Sequence, residues 1–130
     1  MLKLLLSLAA VAPLLACAAG DGKAPAAITV YRHVGSLQCT GGGTPVPALE
    51  RQLIDAGIRV LSASCGSDGR MHAAMCGLPD GAIGIFEIPA SQKEAAAALK
   101  FTPLSLLPDA NRFACAAPAP SRDATPSTIR

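Results

Sequence analysis

No tryptophan occurs in these 130 residues, aromatic residues make up 3%, and charged residues make up 15%. Charge so far below the usual quarter excludes a long solvated coil or a disordered acidic chain. The net charge of +2 excludes a protein whose main partner is nucleic acid, because that requires a clustered basic face. No Cys-x-x-Cys occurs, so a thioredoxin-like redox role is not expected. There is no Gly-x-Ser-x-Gly elbow, and no Lys-Ser or Lys-Thr follows the glycine run, so neither an α/β-hydrolase site nor a P-loop is present. Internal repeats are also absent. What remains is a chain 51% hydrophobic, long enough for one domain, with five cysteines. That many cysteines in a short chain point to an oxidising compartment.

The N-terminus begins Met1-Leu2-Lys3 and continues as an apolar run from Leu4 to Leu15. The run is too short to span a hydrocarbon core of about 30 Å, which takes roughly 20 helical residues. A cation, a short apolar stretch and a small residue before a break make a secretory signal peptide over residues 1–16. Leu14-Leu15-Ala16-Cys17 resembles the lipobox of bacterial lipoproteins. The resemblance implies lipidation at Cys17 and cleavage before it. Ala18, in place of Asp, implies outer-membrane placement facing the periplasm in a Gram-negative cell. The alternative is ordinary cleavage around Ala16-Cys17-Ala18, with Cys17 incidental.

Residues 17–27 are expected to be the lipidated Cys and a flexible tether, residues 28–108 the α/β domain, and residues 109–130 a Pro/Ala-rich tail, largely disordered. Ile28–Val34 is rich in β-branched residues and predicts a first strand. Thr44 is the expected N-cap and Pro45 the first residue of a helix carrying Val46, Leu49, Leu53 and Ile54 at helical spacing, closed by Gly57. Ile58–Cys65 and, more weakly, Met71–Cys76 predict two more strands, around turn residues Gly66–Gly69. Ile83–Ile88 is nearly continuous apolar sequence and predicts a central strand. Ser91 and Glu94 form a capping box for a second helix over Gln92–Lys100. The expected fold is α+β, a two-layer sandwich in β-α-β-β-β-α order, with a mixed sheet and two helices on one face.

With Cys17 lipidated, Cys39, Cys65, Cys76 and Cys115 predict two disulfides with three connectivities. If the first two strands are parallel neighbours, Cys39–Cys65 with Cys76–Cys115 is favoured, and a local Cys65–Cys76 bridge is the alternative. Zinc sites in short domains use Cys pairs two to four residues apart, so no metal and no cofactor are expected. Gly41, Gly42, Gly43 and Thr44 precede a helix and are a candidate ligand or anion site, or simply a flexible connector. His33 and His72 are the two histidines. No spacing links them to Ser36, Ser64, Ser67 or Asp68, so no catalytic set is assigned. Asp68 and Asp80 each precede a glycine and fit turns. Arg32, Arg59 and Arg70 on one strand surface would suit a carboxylate or phosphate.

Cys39-Thr40-Gly41-Gly42-Gly43, Ala56-Gly57-Ile58, Cys65-Gly66-Ser67-Asp68-Gly69, Cys76-Gly77 and Ile85-Phe86-Glu87-Ile88 resemble a group of small proteobacterial lipoproteins of unknown function. The resemblance covers roughly Tyr31 to Pro108. It implies export and a single domain, and it carries over no catalytic residue. The function expected is a membrane-anchored envelope lipoprotein, not an enzyme, whose disulfide-stabilised domain binds an envelope protein or small ligand or is structural. The alternative is an inhibitor or interaction module presenting the Cys65–Cys76 loop, with Arg70-Met71 exposed.

Overall fold

The computed structural model describes residues 26–117. The expected signal peptide, Cys17, nearly all of the tether and residues 118–130 lie outside this range. The chain forms an α+β domain: strand β1 (Ala27–His33), helix α1 (Val46–Asp55), β2 (Ser62–Ser67), β3 (Ala82–Pro89), α2 (Lys93–Ala98), β4 (Thr102–Pro103) and β5 (Asn111–Phe113). The strands make one sheet in the order β4-β1-β3-β2-β5.

Every neighbouring pair is antiparallel, which corrects the expectation of a mixed sheet. β1 and β2 do run the same way, but β3 is inserted between them and pairs with both. The near-continuous apolar sequence of β3 fits that central place, since both of its faces are covered. Alternate residues serve two cores. Phe86 and Ile88 join Val30, Leu49, Leu53, Ala96 and Phe101, whereas Ile83 and Ile85 join Tyr31 and Leu107. Full burial of such aliphatic side chains contributes about 1.5–3 kcal/mol each.

Helix α1 buries Val46, Leu49 and Leu53 at spacings of three and four. It starts one residue later than expected. Pro45, not Thr44, is the N-cap, no side chain caps the first turn, and Thr44 instead donates its N–H to the Val34 carbonyl at 2.7 Å. Gly57, at φ 79°, closes the helix as the sequence suggests: its N–H reaches Ile54 and that of Ile58 reaches Leu53. Lys100 plays the same part after α2 at φ 69°, with its own N–H on Ala97 and that of Phe101 on Ala96. No side-chain capping bond forms at α2, so the Ser91–Glu94 box is not made, and a 3₁₀ turn over Ala90–Gln92 leads in instead.

Two further expectations are corrected. Met71–Cys76 is not a strand, because the outer edge of β2 is already taken by β5. That pairing also carries the folded domain past Pro108 to Cys115. The disulfides are Cys39–Cys76 and Cys65–Cys115, neither the favoured pairing nor the Cys65–Cys76 alternative. The physical reason is the sheet order. β3 separates the strands that Cys39 and Cys65 were expected to join, and Cys65 lies opposite Phe113, two residues before Cys115.

Candidate functional site

β1 and β2 end, and β3 begins, at one end of the sheet. His33, the last residue of β1, is in register with Ile83, and Ser67, the last of β2, with Ala82. The residue after β2, Asp68, donates its N–H to the Gly81 carbonyl at 2.9 Å, which continues the ladder one step. His33 and Asp68 therefore flank the start of β3. His33 shares the sheet face of Tyr31, whose ring it meets edge-on at 5.6 Å between centroids.

The segments following β1 and β2 then close over this end. The 68–81 loop has no regular structure, yet it is held at several points. Cys76 is bonded to Cys39, Gln38 exchanges backbone bonds with Gly77 and Leu78, and its side-chain amide donates to Ala73 at 2.6 Å. The fold thus brings His72 back onto Asp68.

The Asp68 side chain is 2% exposed and both imidazoles converge on it. His72 Nε2 lies 2.9 and 3.0 Å from the two carboxylate oxygens, His33 Nε2 lies 3.2 Å from Oδ2, and the Arg70 N–H donates to Oδ1 at 3.0 Å. Burial alone would raise this carboxyl's pKa. The hydrogen bonds from His72, Arg70 and His33, with the His72 charge, outweigh it and hold Asp68 below the usual carboxylate range. Facing an ionised carboxylate, each Nε2 carries its hydrogen, which leaves Nδ1 as the atom that accepts or receives a proton.

Ser36 and Asp80 form a second pair beside the first. The Ser36 hydroxyl donates to Asp80 Oδ1 at 2.8 Å, and the Ala82 N–H donates to the same oxygen at 2.9 Å. The Ser36 bond first, then Ala82, lowers the Asp80 pKa against a smaller burial effect. His33, Gly35, Ser36, Asp68, Arg70, His72 and Asp80 line a cleft of about 300 Å³, with Gly81 on its floor. Gly81 sits at φ 78°, and a Cβ there would lie 2.5 Å from His72 Nε2 and 2.8 Å from Asp68 Oδ1. A larger residue would drive the cluster apart.

Compared with protein-family models, curated proteins and solved structures, the chain matches none. The chemistry is therefore read from the cleft itself. A serine nucleophile needs its proton taken by a base, and the Ser36 proton is directed at Asp80, not at an imidazole. Among the described residues, no group of three His, Cys, Asp or Glu is placed to hold a metal ion. What the cleft offers is two oriented imidazoles, a guanidinium and two carboxylates that already have partners.

The other candidate positions from the sequence fall mostly outside the cleft. Gly41, Gly42, Gly43 and Thr44 lie on the first of the two loops but do not line the cleft. Two of their four N–H groups are engaged, Gly41 with Leu37 and Thr44 with Val34. The three arginines do not share a surface. Arg32 bonds Gln52 and stands 5.5 Å over the Phe101 ring, Arg59 lines a depression with Gly57 and Gln92, and only Arg70 lines the cleft. His33, Asp68 and His72 were each noticed, but sequence reasoning did not join them. The four-residue step from Asp68 to His72 was the one local signal, and His33 enters only through the strand pairing.

Proposed function

We propose that the protein is an envelope lipoprotein, tethered through lipid on Cys17 to the outer membrane with its domain facing the periplasm. In this reading it binds a small ligand or protein partner in the cleft around Asp68 and is not an enzyme. The lipobox resemblance supports the anchor. Two disulfides suit an oxidising compartment. Among the described residues no helix is long and apolar enough to cross a membrane.

The observation that carries the binding reading is the buried Asp68 holding two imidazoles in the lining of a disulfide-clipped cleft. Such a cluster contributes less to a core than apolar packing would, whereas it gives a binding site orientation and selectivity. In the layered reading of the fold, Leu49, Leu53 and Ala96 place both helices against one sheet face, and the cleft opens at the end of the opposite face.

Two measurements test the proposal. Cys17→Ser should leave an uncut precursor or release the protein from membranes, and unchanged fractionation and migration would remove the anchor. A thermal-stabilisation screen should find compounds that raise the parent's midpoint by mass action and fail to do so in His72→Ala. Equal shifts in both proteins would place binding elsewhere.

One observation favours the interaction-module reading beside this one. Met71 is 102% exposed and Met75 62%, both on the loop that presents Arg70. A protein partner docked there would be lost in Met71→Asp, with small-molecule binding in the cleft retained.

A further inference from the structure

We propose that the cleft captures a small oxyanion, a carboxylate or a phosphate-like group, together with protons, so that binding tightens as the pH falls. The proposal rests on the cleft being the binding site and names what it takes.

The polar groups that still lack partners decide what the cleft can take. Asp68 Oδ1 accepts from His72 and the Arg70 N–H, and Oδ2 accepts from His72 and His33. Asp80 Oδ1 accepts from Ser36 and the Ala82 N–H. Asp68 is thus turned wholly toward the protein's own donors, whereas Asp80 Oδ2 has no donor among the described residues. The ion pairs among the described residues are the two His–Asp68 contacts, so the Arg70 guanidinium is engaged in none. Neither imidazole Nδ1 has a hydrogen-bond partner among those residues. The Arg70 Nη and Nε atoms and, once protonated, the two Nδ1 atoms are the donors left to meet an anion, with Asp80 Oδ2 an open acceptor against them.

The Nδ1 atoms change character with protonation. A neutral ring held through Nε2–H presents a lone pair at Nδ1, which repels an anionic oxygen. A protonated ring presents N–H, which donates to it. With both rings neutral, Asp68 and Asp80 against Arg70 leave the cleft one negative charge, whereas with both protonated it carries one positive charge. The remaining neighbours do not alter this count. Tyr31 meets His33 by its ring edge, and Asp109, whose carbonyl and Cβ pack at Gly69, does not line the cleft. Arg70 therefore acts as the fixed cation and the histidines as the proton-gated donors. Linkage makes the effect reciprocal, so that anion binding at fixed pH draws protons onto the rings.

The test is calorimetric titration of the disulfide-bonded protein with sodium sulfate, whose charge is constant across the range, and separately with sodium acetate. Both run at about pH 5.5 and about pH 8 at equal ionic strength, in buffers of different ionisation enthalpy. The expected result is affinity about tenfold higher at the lower pH, with measured proton uptake, lost in Arg70→Gln and reduced in His33→Gln. The sulfate and acetate arms tell a phosphate-like from a carboxylate ligand. Binding that ignores pH, or that survives Arg70→Gln unchanged, overturns the proposal. If uncharged compounds stabilise the parent but not His72→Ala and neither anion binds, the cleft remains the site and the oxyanion is wrong. If nothing binds in the cleft, both readings fall.

Discussion

His72 lies four residues after Asp68, and its Nε2 reaches both oxygens of that carboxylate, at 2.9 and 3.0 Å. Because Asp68 is buried, the pair cannot exchange freely with water, and the carboxylate's charge is balanced largely by donors the fold supplies. Asp68→Asn keeps the volume but turns an NH2 toward groups that are themselves donors. The expected cost is about 2–3 kcal/mol, discounted from the sum of its contacts because His33 is 47% exposed and partly solvated. Chemical denaturation of parent and variant, with unchanged slope, measures it. A cost under about 0.5 kcal/mol would show that the cluster is not held as described.

The pH dependence follows from the same carboxylate. Asp68 titrates lower in the folded protein than in the unfolded chain, where the value is about 4. The folded state therefore binds fewer protons than the unfolded state in that range. Its stabilisation is complete above about pH 5 and is lost as the pH falls through the folded value. Asp80 is shifted in the same direction and adds to the trend. Thermal midpoints from about pH 6 down to pH 2 should fall more steeply for the parent than for Asp68→Asn, the two curves converging at the acid end. Parallel curves would contradict the assignment.

The glycine run divides by what a side chain would meet. Gly42 has φ 84° and open space around a Cβ, whereas a Cβ at Gly43, φ 78°, would meet the Val34–Ser36 backbone, including Gly35 C at 2.7 Å. Gly42→Ala should cost about 1 kcal/mol, the ordinary strain of a left-handed residue. Gly43→Ala should cost about 3 kcal/mol or more, since the Thr44–Val34 bond beside it would also stretch. Thermal unfolding of the two variants checks the order. Equal losses would mean the loop does not pack onto the end of β1.

These residues also show how far the sequence could be read. Apolar periodicity found α1 and β3, because burial on one stripe or on both faces leaves a local pattern. The expected β1 differed from the observed strand by one residue at each end. Pairing leaves no such trace: nothing in Met71–Cys76 announces that Asn111–Phe113 will occupy the edge of β2. The disulfide partners depend on that edge and on the insertion of β3, so they were misassigned for the same cause. The cleft was invisible for a related reason. Asp68 and Asp80 each stand before a glycine and satisfy the turn pattern fully, and only the antiparallel register carries His33 to the first of them.

The disulfides offer the sharpest check on this topology. Peptide mapping without reduction should recover Cys39 linked to Cys76 and Cys65 linked to Cys115, and any Cys39–Cys65 peptide would contradict the sheet order. The separations of 37 and 50 residues imply about 4 kcal/mol of loop entropy for each bridge. The two losses should nevertheless differ in kind. Replacing Cys65 and Cys115 by serine frees the strand β5 from β2 and should expose amides at that edge to exchange. Replacing Cys39 and Cys76 leaves the sheet paired but releases one of the ties between the 34–45 and 68–81 loops, so the effect should concentrate at His72. Histidine resonances in proton–nitrogen spectra would report it: in the Cys39/Cys76 variant the His72 Nε2 signal should lose its protection from solvent while the β3 amides keep theirs. If both variants instead unfold the sheet to the same degree, the first disulfide belongs to the core's stability and not to the cleft.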